Sequence, residues 1–220
     1  MVLSANAARG AAAVKKKITF VSTNRGKAKV LEKCLAAVGY ELERLELPII
    51  EPQGSTLEAV ALDKARQAFA YFEEPLVVED SGLCVDSLAG FPGPVTKYML
   101  ETIGVAGLLR LAHGQEPRTC RFVGALVYVD EDGAPHTFVD RQAAGKLALE
   151  ADVTRAADAW SAMWNVFIPE GSTSALSALP PAERDAVFAR WQPQSVYAQF
   201  ARWLVQRDEG AIGKLGGGVP

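Results

Sequence analysis

The spacing of apolar and polar positions changes several times along the chain, and it predicts alternating strands and helices. The apolar β-branched run 18–21 predicts a first strand. A helix is predicted to begin near Gly26, because apolar residues then recur at helical spacing. They are Val30, Leu31, Cys34, Leu35 and Val38. This helix is expected to stop at Gly39, before a short strand around residues 44–47.

A second helix and a central strand follow. Residues 55–58, Ser-Thr-Leu-Glu, have the spacing of a capping box. The apolar face predicted for this helix consists of Leu57, Val60, Ala61, Ala65, Ala68, Phe69 and Phe72. After Pro75, the continuous apolar run 76–78 predicts a buried strand that ends at Glu79 and Asp80.

The second half of the chain mixes a hairpin with further helices. Helical patterns cover residues 96–112, and residues 119–129 and 134–140 flank an Asp-Glu-Asp-Gly turn that predicts a β-hairpin. Another strand is expected near 146–149. Two more helices are predicted, at 181–190 and 194–207. The whole pattern predicts the α/β class, with one mixed sheet and helices on both faces.

Composition narrows the function classes. The 220 residues are 49% hydrophobic and 22% charged, and 23 basic against 26 acidic residues give a net charge of −3. This balance argues against a broad nucleic-acid-binding surface, and no apolar stretch approaches the ~18 residues that cross a membrane. Three widely spaced cysteines predict reduced thiols in a cytoplasmic protein. We expect one domain over residues 17–208.

Both ends of the chain are predicted to be tails. Residues 1–16 are the predicted N-terminal tail; the stretch 1–17 is rich in alanine, lacks acidic side chains and ends in Lys15-Lys16-Lys17. A signal peptide would place its charges before the apolar segment, so we expect a disordered tail, with a transit peptide as the alternative. Residues 209–220 contain a Gly-Gly-Gly run and are expected to be flexible.

The junction between the first strand and the first helix predicts an anion site. Small polar residues from Ser22 to Gly26 let backbone N–H groups approach a phosphate, and the helix N-terminus adds a favourable dipole. Lys27 adds a positive charge in the first turn. The GxxxxGK[ST] pattern of a Walker loop is missing, so this would be a different kind of phosphate site. A generic strand–loop–helix is the simpler alternative.

Acidic residues near strand ends predict a metal site. Glu79 and Asp80 follow the predicted central strand, and Glu51 lies in a proline-bounded loop. Carboxylates of this kind, together with substrate phosphates, are the ligands that Mg²⁺ prefers. The alternative is that Glu79 and Asp80 only form a turn. Lys64 lies near the buried face of the second helix, where it either contacts phosphate or extends to solvent.

The remaining candidates are weaker. His113 and His136 are far apart and lie beside turn residues, so we expect both to be solvated. The four tryptophans, at 160, 164, 191 and 203, are expected to be buried, with stacking on a base as the alternative.

Several motifs together resemble the inosine triphosphate pyrophosphatase family. They occur in family order across residues 18–100, and weaker similarity continues at residues 145–147 and 167–171. The motifs are Ser22-x-Asn24-x-x-Lys27, Glu51-x-Gln53-Gly54, Lys64-Ala65, Glu79-Asp80-Ser81-Gly82-Leu83-Cys84-Val85 and Gly90-Phe91-Pro92-Gly93-Pro94. The resemblance implies an elongated mixed sheet, two lobes with a deep cleft, and a homodimer.

The resemblance also implies an activity: Mg²⁺-dependent hydrolysis of a nucleoside triphosphate to a monophosphate and pyrophosphate. Asp80, Glu79 and Lys27 are the implied catalytic residues, and Glu51 and Asp80 are the implied metal ligands. The implied substrate-binding residues are Ser22, Asn24, Lys27, Lys64, Ser81, Arg184 and Arg190.

The base-binding motifs depart from the family pattern. Where the family usually has Gly-Phe-Gly-Tyr-Asp-Pro-x-Phe, residues 160–167 read Trp-Ser-Ala-Met-Trp-Asn-Val-Phe. The aromatic residue that would stack on the base aligns with Ser161. The later Glu-Lys-Asn-x-x-Ser-His-Arg pattern reads Glu-Arg-Asp-Ala-Val-Phe-Ala-Arg at 183–190, so Arg184 replaces lysine and only Arg190 is retained. Because such a site discriminates through hydrogen bonds, we predict altered base specificity.

Three hypotheses remain open from the sequence. The leading one is a Mg²⁺-dependent nucleoside triphosphate pyrophosphatase with altered base preference. The second is a non-catalytic nucleotide-binding or regulatory protein that reuses the cleft. The third is a purely structural α/β domain.

Overall fold

The computed structural model describes residues 16–50, 54, 56–154 and 159–215. Within these ranges the chain forms one six-stranded mixed sheet in the order β2-β1-β3-β4-β5-β6. The strands are β1 Lys16–Val21, β2 Tyr40–Leu45, β3 Leu76–Val85, β4 Thr119–Val129, β5 Pro135–Leu147 and β6 Phe167–Pro169. The helices are α1 Arg25–Ala36, α2 Leu57–Phe72, α3 Thr96–Thr102, α4 Gly104–Leu111, α5 Pro181–Trp191 and α6 Val196–Leu215.

The sheet is parallel at one side and antiparallel at the other. Strand β1 pairs in parallel with β2 and β3, whereas the pairs β3–β4, β4–β5 and β5–β6 are antiparallel. The α/β class with a mixed sheet is therefore confirmed.

Helices cover both faces of the β1–β3–β4 region. One apolar cluster joins α1 and α6 to sheet residues such as Phe20 and Val77, and another joins α2 to residues such as Leu76 and Val78. Successive side chains of a strand point to opposite faces, which explains how Val77 and Val78 serve different clusters. A third cluster, which includes Leu83, Leu108 and Trp164, packs around the last residues of β3 and the first residues of β4.

Several predicted boundaries need correction. Strand β3 does not end at Glu79 and Asp80 but continues to Val85. The cap of α2 is Thr56, whose hydroxyl accepts from the backbone N–H of Ala59, so the N-terminus lies one residue later than the capping-box prediction. The strand expected near 146–149 is the end of β5, and the helical patterns over 96–112 form the two helices α3 and α4.

The last helix is longer than its sequence pattern predicted. It runs from Val196 to Leu215, so the predicted boundary at residue 208 falls inside α6, and residues 209–215 of the predicted 209–220 tail are helical. The predicted N-terminal tail, residues 1–16, lies outside the described residues except for Lys16, which begins β1. Within the described residues, no helix is long and apolar enough to cross a membrane.

Candidate active site

A cleft opens where β1 stops and β3 continues. Pairing between the two strands ends at Val21 opposite Val78, and beyond this point β3 is paired with β4 while the chain after β1 turns into α1. The resulting cleft has a volume of about 1840 Å³. Glu79 and Asp80 are the first two residues of β3 past the end of β1, so they border the cleft on the β1 side while they stay paired with β4 on the other side.

Glu79 faces the α1 side of the sheet, where it meets Lys27. The ammonium Nζ of Lys27 lies 2.5 Å from Oε2 of Glu79, and the two side chains are 16% and 3% exposed. The alternation of the strand gives Glu79 the same face as Val77, which packs against α1. The carboxylate is therefore buried as part of an ion pair.

Asp80 faces the α2 side, where it meets Lys64. The Nζ of Lys64 donates to Oδ1 of Asp80 over 3.1 Å. Burial raises the pKa of Asp80, and the nearby Glu79 charge adds to this, while the charges of Lys64 and Lys27 lower it; the net direction is upward. Lys64 is thus a cleft residue, so the alternative of a lysine extending to solvent is wrong.

The α1 N-terminus forms the adjoining wall of the cleft. Asn24 caps this helix, because its Oδ1 accepts from the N–H groups of Gly26 at 2.9 Å and Lys27 at 3.1 Å. Ser22 supports the same turn, with its Oγ accepting from the N–H of Asn24 at 3.1 Å. The N–H groups predicted to hold a phosphate thus donate to the Asn24 side chain, and Asn24 itself lines the cleft.

Ser81 and Gly82 continue the cleft floor and fix a loop beside it. A Cβ at Gly82 would lie 2.0 Å from the carbonyl oxygen of Gly93, so the loop 90–94 approaches the strand as closely as a glycine allows. The Thr96 hydroxyl joins the two segments, donating to the Gly93 carbonyl at 2.7 Å and accepting from the Leu83 N–H at 3.2 Å. The Gly-rich motifs of the sequence therefore shape the site by packing.

The two arginines predicted to bind substrate are not brought to the cleft. Arg184 is 7% exposed; its Nη1 donates to the carbonyl oxygen of Leu179 at 3.0 Å, and its guanidinium lies 5.9 Å from the ring centroid of Trp164. Arg190 donates to the carbonyl oxygen of Glu170 at 3.1 Å in an exposed position. Neither residue lines the cleft, unlike their α5 neighbours Asp185, Phe188 and Ala189.

Trp160, expected from the sequence to be buried, and Tyr197, which the sequence did not single out, are among the aromatic residues that line the cleft. Trp160 is 42% exposed and packs against the start of α1, where a Cβ at Gly26 would lie 2.8 Å from the Cβ of Trp160. Tyr197 of α6 lies on the Glu79 side; burial and then the Glu79 charge raise the pKa of its hydroxyl. The family motif aligns its stacking aromatic residue with Ser161, one residue after Trp160. No periodic signal marks Tyr197, which comes from a distant helix.

His136 differs from its prediction, since it is not simply solvated. Its Nε2 lies 2.7 Å from a carboxylate oxygen of Asp130, and its ring packs against Trp203 at 4.7 Å between centroids. This pair lies on the hairpin and not in the cleft. All three cysteines are free thiols.

The predicted metal ligands are only partly described. Glu51 lies outside the described residues, and among those described no group of three or more His, Cys, Asp or Glu residues is arranged to hold a metal. Glu79 and Asp80 still fit Mg²⁺, because one or two protein carboxylates beside substrate phosphates are its usual protein ligands. Each of the two carboxylates already contacts a positive charge in the protein, the ammonium group of Lys27 or of Lys64.

The fold and site define a class of protein: an α/β protein with a helix N-terminus, two lysines and two buried carboxylates around one deep cleft. The chain belongs to the Ham1 family, whose model matches residues 18–193. The family resemblance drawn from the motifs is therefore confirmed.

Curated relatives agree with this family assignment, and a solved structure agrees with the fold. A dITP/XTP pyrophosphatase of Methanopyrus kandleri is 34% identical over 187 residues, spanning 85% of this chain and 95% of the relative. A protein of the same name from Thermococcus kodakarensis is 32% identical over 86% of this chain and 97% of its own. The structure of a HAM1 protein from Coxiella burnetii superposes with a TM-score of 0.70 at 22% identity, covering 87% of this chain and 99% of the other.

Proposed function

We propose that this chain hydrolyses a nucleoside triphosphate, of the inosine or xanthosine type or with another modified purine, to a nucleoside monophosphate and pyrophosphate in a Mg²⁺-dependent reaction with altered base specificity. The observation that carries the proposal is the pair of buried carboxylates, Glu79 and Asp80. Each forms an ion pair with a cleft lysine, and the N-terminus of α1 adjoins them. The names of its relatives, dITP/XTP pyrophosphatases, support the reaction class.

The lysines and the α1 N-terminus would bind the triphosphate. Lys27 and Lys64 bring positive charge to opposite faces of β3, and Ser22 and Asn24 line the same cleft. An arriving polyphosphate competes with the two carboxylates for these ammonium groups. Phosphate binding would therefore loosen the Lys27–Glu79 and Lys64–Asp80 pairs and make the carboxylate oxygens available.

The carboxylates would act on water and metal. Asp80, with Glu51 from the preceding loop, would hold Mg²⁺, which when bound neutralises phosphate charge and makes water more acidic. Asp80 or Glu79 would orient the attacking water and accept its proton. The water oxygen forms a bond to the α-phosphorus, the bond from this phosphorus to the bridging oxygen breaks, and pyrophosphate leaves.

The altered base preference is supported by the placement of α5. Arg184, at the position of the family lysine, donates to a backbone carbonyl instead of lining the cleft, and Phe188 and Ala189 replace the family Ser-His pair. A site that discriminates through hydrogen bonds loses its selectivity when these donors are missing.

A cytoplasmic homodimer is the state in which we expect the protein to act. The three free thiols, at 34, 84 and 120, suit a reducing compartment. Light scattering of the purified full-length chain measures the oligomeric state, and a mass of one chain at micromolar concentration would contradict the dimer.

Pyrophosphate release is the direct test of the proposed function. The purified chain is assayed with Mg²⁺ against ITP, XTP, their deoxy forms, the four standard ribonucleoside triphosphates and modified purine triphosphates. We expect turnover with at least one of them. Asp80→Asn should lower kcat by about 10³-fold, in the range lost with a positioned acid–base group.

Asp86→Asn provides the matched control for this assay. Asp86 is an exposed carboxylate close in sequence to Asp80; it pairs with Arg121 and does not line the cleft. Its replacement should therefore leave kcat within about twofold of the wild-type value. A fully active Asp80→Asn variant would contradict the catalytic assignment. Mg²⁺-dependent nucleotide binding without pyrophosphate release would favour the non-catalytic binder.

A further inference from the structure

We propose that the base of the substrate stacks on Trp160, and that this wall of the cleft accepts 6-oxo and 6-amino purines about equally. The inference rests on the proposed function for the reaction, but it concerns a different part of the site: the segment 159–164 together with the cleft-facing side of α5. It assigns a specificity-determining role to a residue next to the position at which the family pattern places its aromatic side chain.

Trp160 lies next to the proposed phosphate site. Its Cβ packs so closely on Gly26 that no larger residue fits there, and Gly26 directly precedes Lys27. The side chain lines the cleft and the residue is 42% exposed, although most large apolar side chains of the protein are buried. A nucleotide that places its phosphates beside Lys27 therefore has an aromatic surface available next to them.

The Trp160 ring is held in place by other aromatic rings. Phe188 stacks behind it with centroids 6.1 Å apart and planes 24° from parallel, and Trp164 meets it edge-on at 5.0 Å. A ring supported in this way loses little further freedom when a base packs on it. Base–aromatic stacking tolerates any base, since every base has a π face.

The described residues that line this wall offer no cation that could donate to a 6-oxo group. Among the described residues of 159–164 and α5, none of those that line the cleft is lysine or arginine, and the single charged one is Asp185. Arg184 donates to the Leu179 carbonyl and packs over Trp164, away from the cleft. The Ser161 hydroxyl accepts from the N–H of Met163 as the cap of a short 3₁₀ turn at 162–165.

Discrimination should therefore be small. A site that donates hydrogen bonds to a substrate group can reject analogues by ~10⁴-fold, whereas stacking surfaces select weakly. For this chain we expect the kcat/KM values for ITP and ATP to agree within about tenfold.

The experiment compares substrates that do and do not carry a base. KM and kcat are measured with ITP and ATP, and the inhibition constant is measured for inorganic tripolyphosphate, which has only the phosphates. The variants are Trp160→Ala and Trp160→Phe, with Tyr71→Ala as a control because Tyr71 is an exposed aromatic residue outside the cleft.

Trp160→Ala should raise KM for ITP and ATP alike, by about ten- to a hundredfold, and leave the tripolyphosphate constant unchanged. Trp160→Phe should restore most of the loss, and Tyr71→Ala should change nothing. An unchanged KM in Trp160→Ala, or an equal change for tripolyphosphate, would overturn the stacking assignment. A wild-type preference for ITP above a hundredfold would overturn the relaxed specificity.

Failure of the proposed function gives a different result. If the wild-type chain releases no pyrophosphate from any nucleotide, the reaction is wrong, and calorimetric titration of ITP, ATP and tripolyphosphate with Mg²⁺ then decides the stacking role. Weaker nucleotide binding in Trp160→Ala with unchanged tripolyphosphate binding would support it, and no nucleotide binding by the wild type would overturn it.

Discussion

Lys27 and Glu79 join the first turn of α1 to β3 through an ion pair 2.5 Å long, with the carboxylate almost entirely buried. The lysine proposed to bind phosphate is thus the same group that compensates a carboxylate inside the protein. Its double role couples the stability of the fold to the chemistry of the cleft.

The first prediction concerns this coupling. Lys27→Met should lower the free energy of unfolding by about 3 kcal/mol, because it leaves the Glu79 charge buried without its partner. The double variant with Glu79→Gln should be more stable than Lys27→Met alone, since the uncompensated charge is gone. Urea unfolding of the two single variants and the double variant measures this difference.

Lys33→Met, at an exposed position on the same helix, is the control and should change stability by less than about 0.5 kcal/mol. If Lys27→Met and the double variant are destabilised equally, the buried Glu79 charge is not the cause of the loss, and the prediction is contradicted.

The second prediction separates two roles of Asn24. Asn24→Ala should destabilise the protein by about 1 kcal/mol, because the N–H groups of Gly26 and Lys27 lose their side-chain acceptor. Asn24→Asp should keep the cap and the stability but weaken nucleotide binding, since it places a negative charge at the proposed phosphate site. Thermal unfolding and nucleotide titration of both variants check this. Unchanged nucleotide affinity in Asn24→Asp would argue that phosphate does not approach this residue.

The third prediction compares two helical glycines. Alanine normally favours a helix by about 1 kcal/mol over glycine. Gly26→Ala should nevertheless destabilise the protein, because the new Cβ would lie 2.8 Å from the Cβ of Trp160. Gly210→Ala should be neutral or stabilising, as a Cβ there meets nothing within 4 Å. Melting temperatures of the two variants test the packing of Trp160 on α1 without any ligand. A gain in stability for Gly26→Ala would contradict this packing.

The fourth prediction is a pH dependence far from the cleft. Burial works against ionisation of Asp208, but hydrogen bonds from Lys16 and Tyr40 outweigh it and lower its pKa below 3.8. A carboxyl group with a lowered folded-state pKa stabilises the fold above its unfolded value, and this contribution is lost as pH falls through the folded value. Asp208→Asn should therefore be less stable than the wild type at pH 7, by about 1 kcal/mol or less, with the difference vanishing in acid.

Denaturant unfolding at pH 7 and at pH 2–3 measures the effect of Asp208→Asn, with Glu209→Gln as the adjacent exposed control. A stability difference that stays constant over this pH range would contradict the linkage.

Local patterns in the sequence determined much of the fold. The helical spacing of apolar residues in α1 and α2, the run 76–78 and the turn at 130–133 each depend on neighbours in the chain, and the elements they predicted are present. The motifs around Ser22, Lys64 and Asp80 also predicted residues that meet in one cleft, because they follow or face neighbouring strands.

Tertiary structure decided what depends on distant partners. Glu79 and Asp80 are not at the end of a strand; β3 continues, and they reach the cleft because its neighbour β1 ends beside them. Arg184 lies outside the cleft, where it donates to the Leu179 carbonyl and packs over the Trp164 ring. Trp160 lines the cleft, where it packs against Gly26 and Phe188. The sequence alone determined which residue types could bind phosphate and metal, since charge and hydrogen-bonding capacity belong to each side chain. Only packing decided which of them share the site, because contacts between residues that are distant in the chain leave no periodic trace in the sequence.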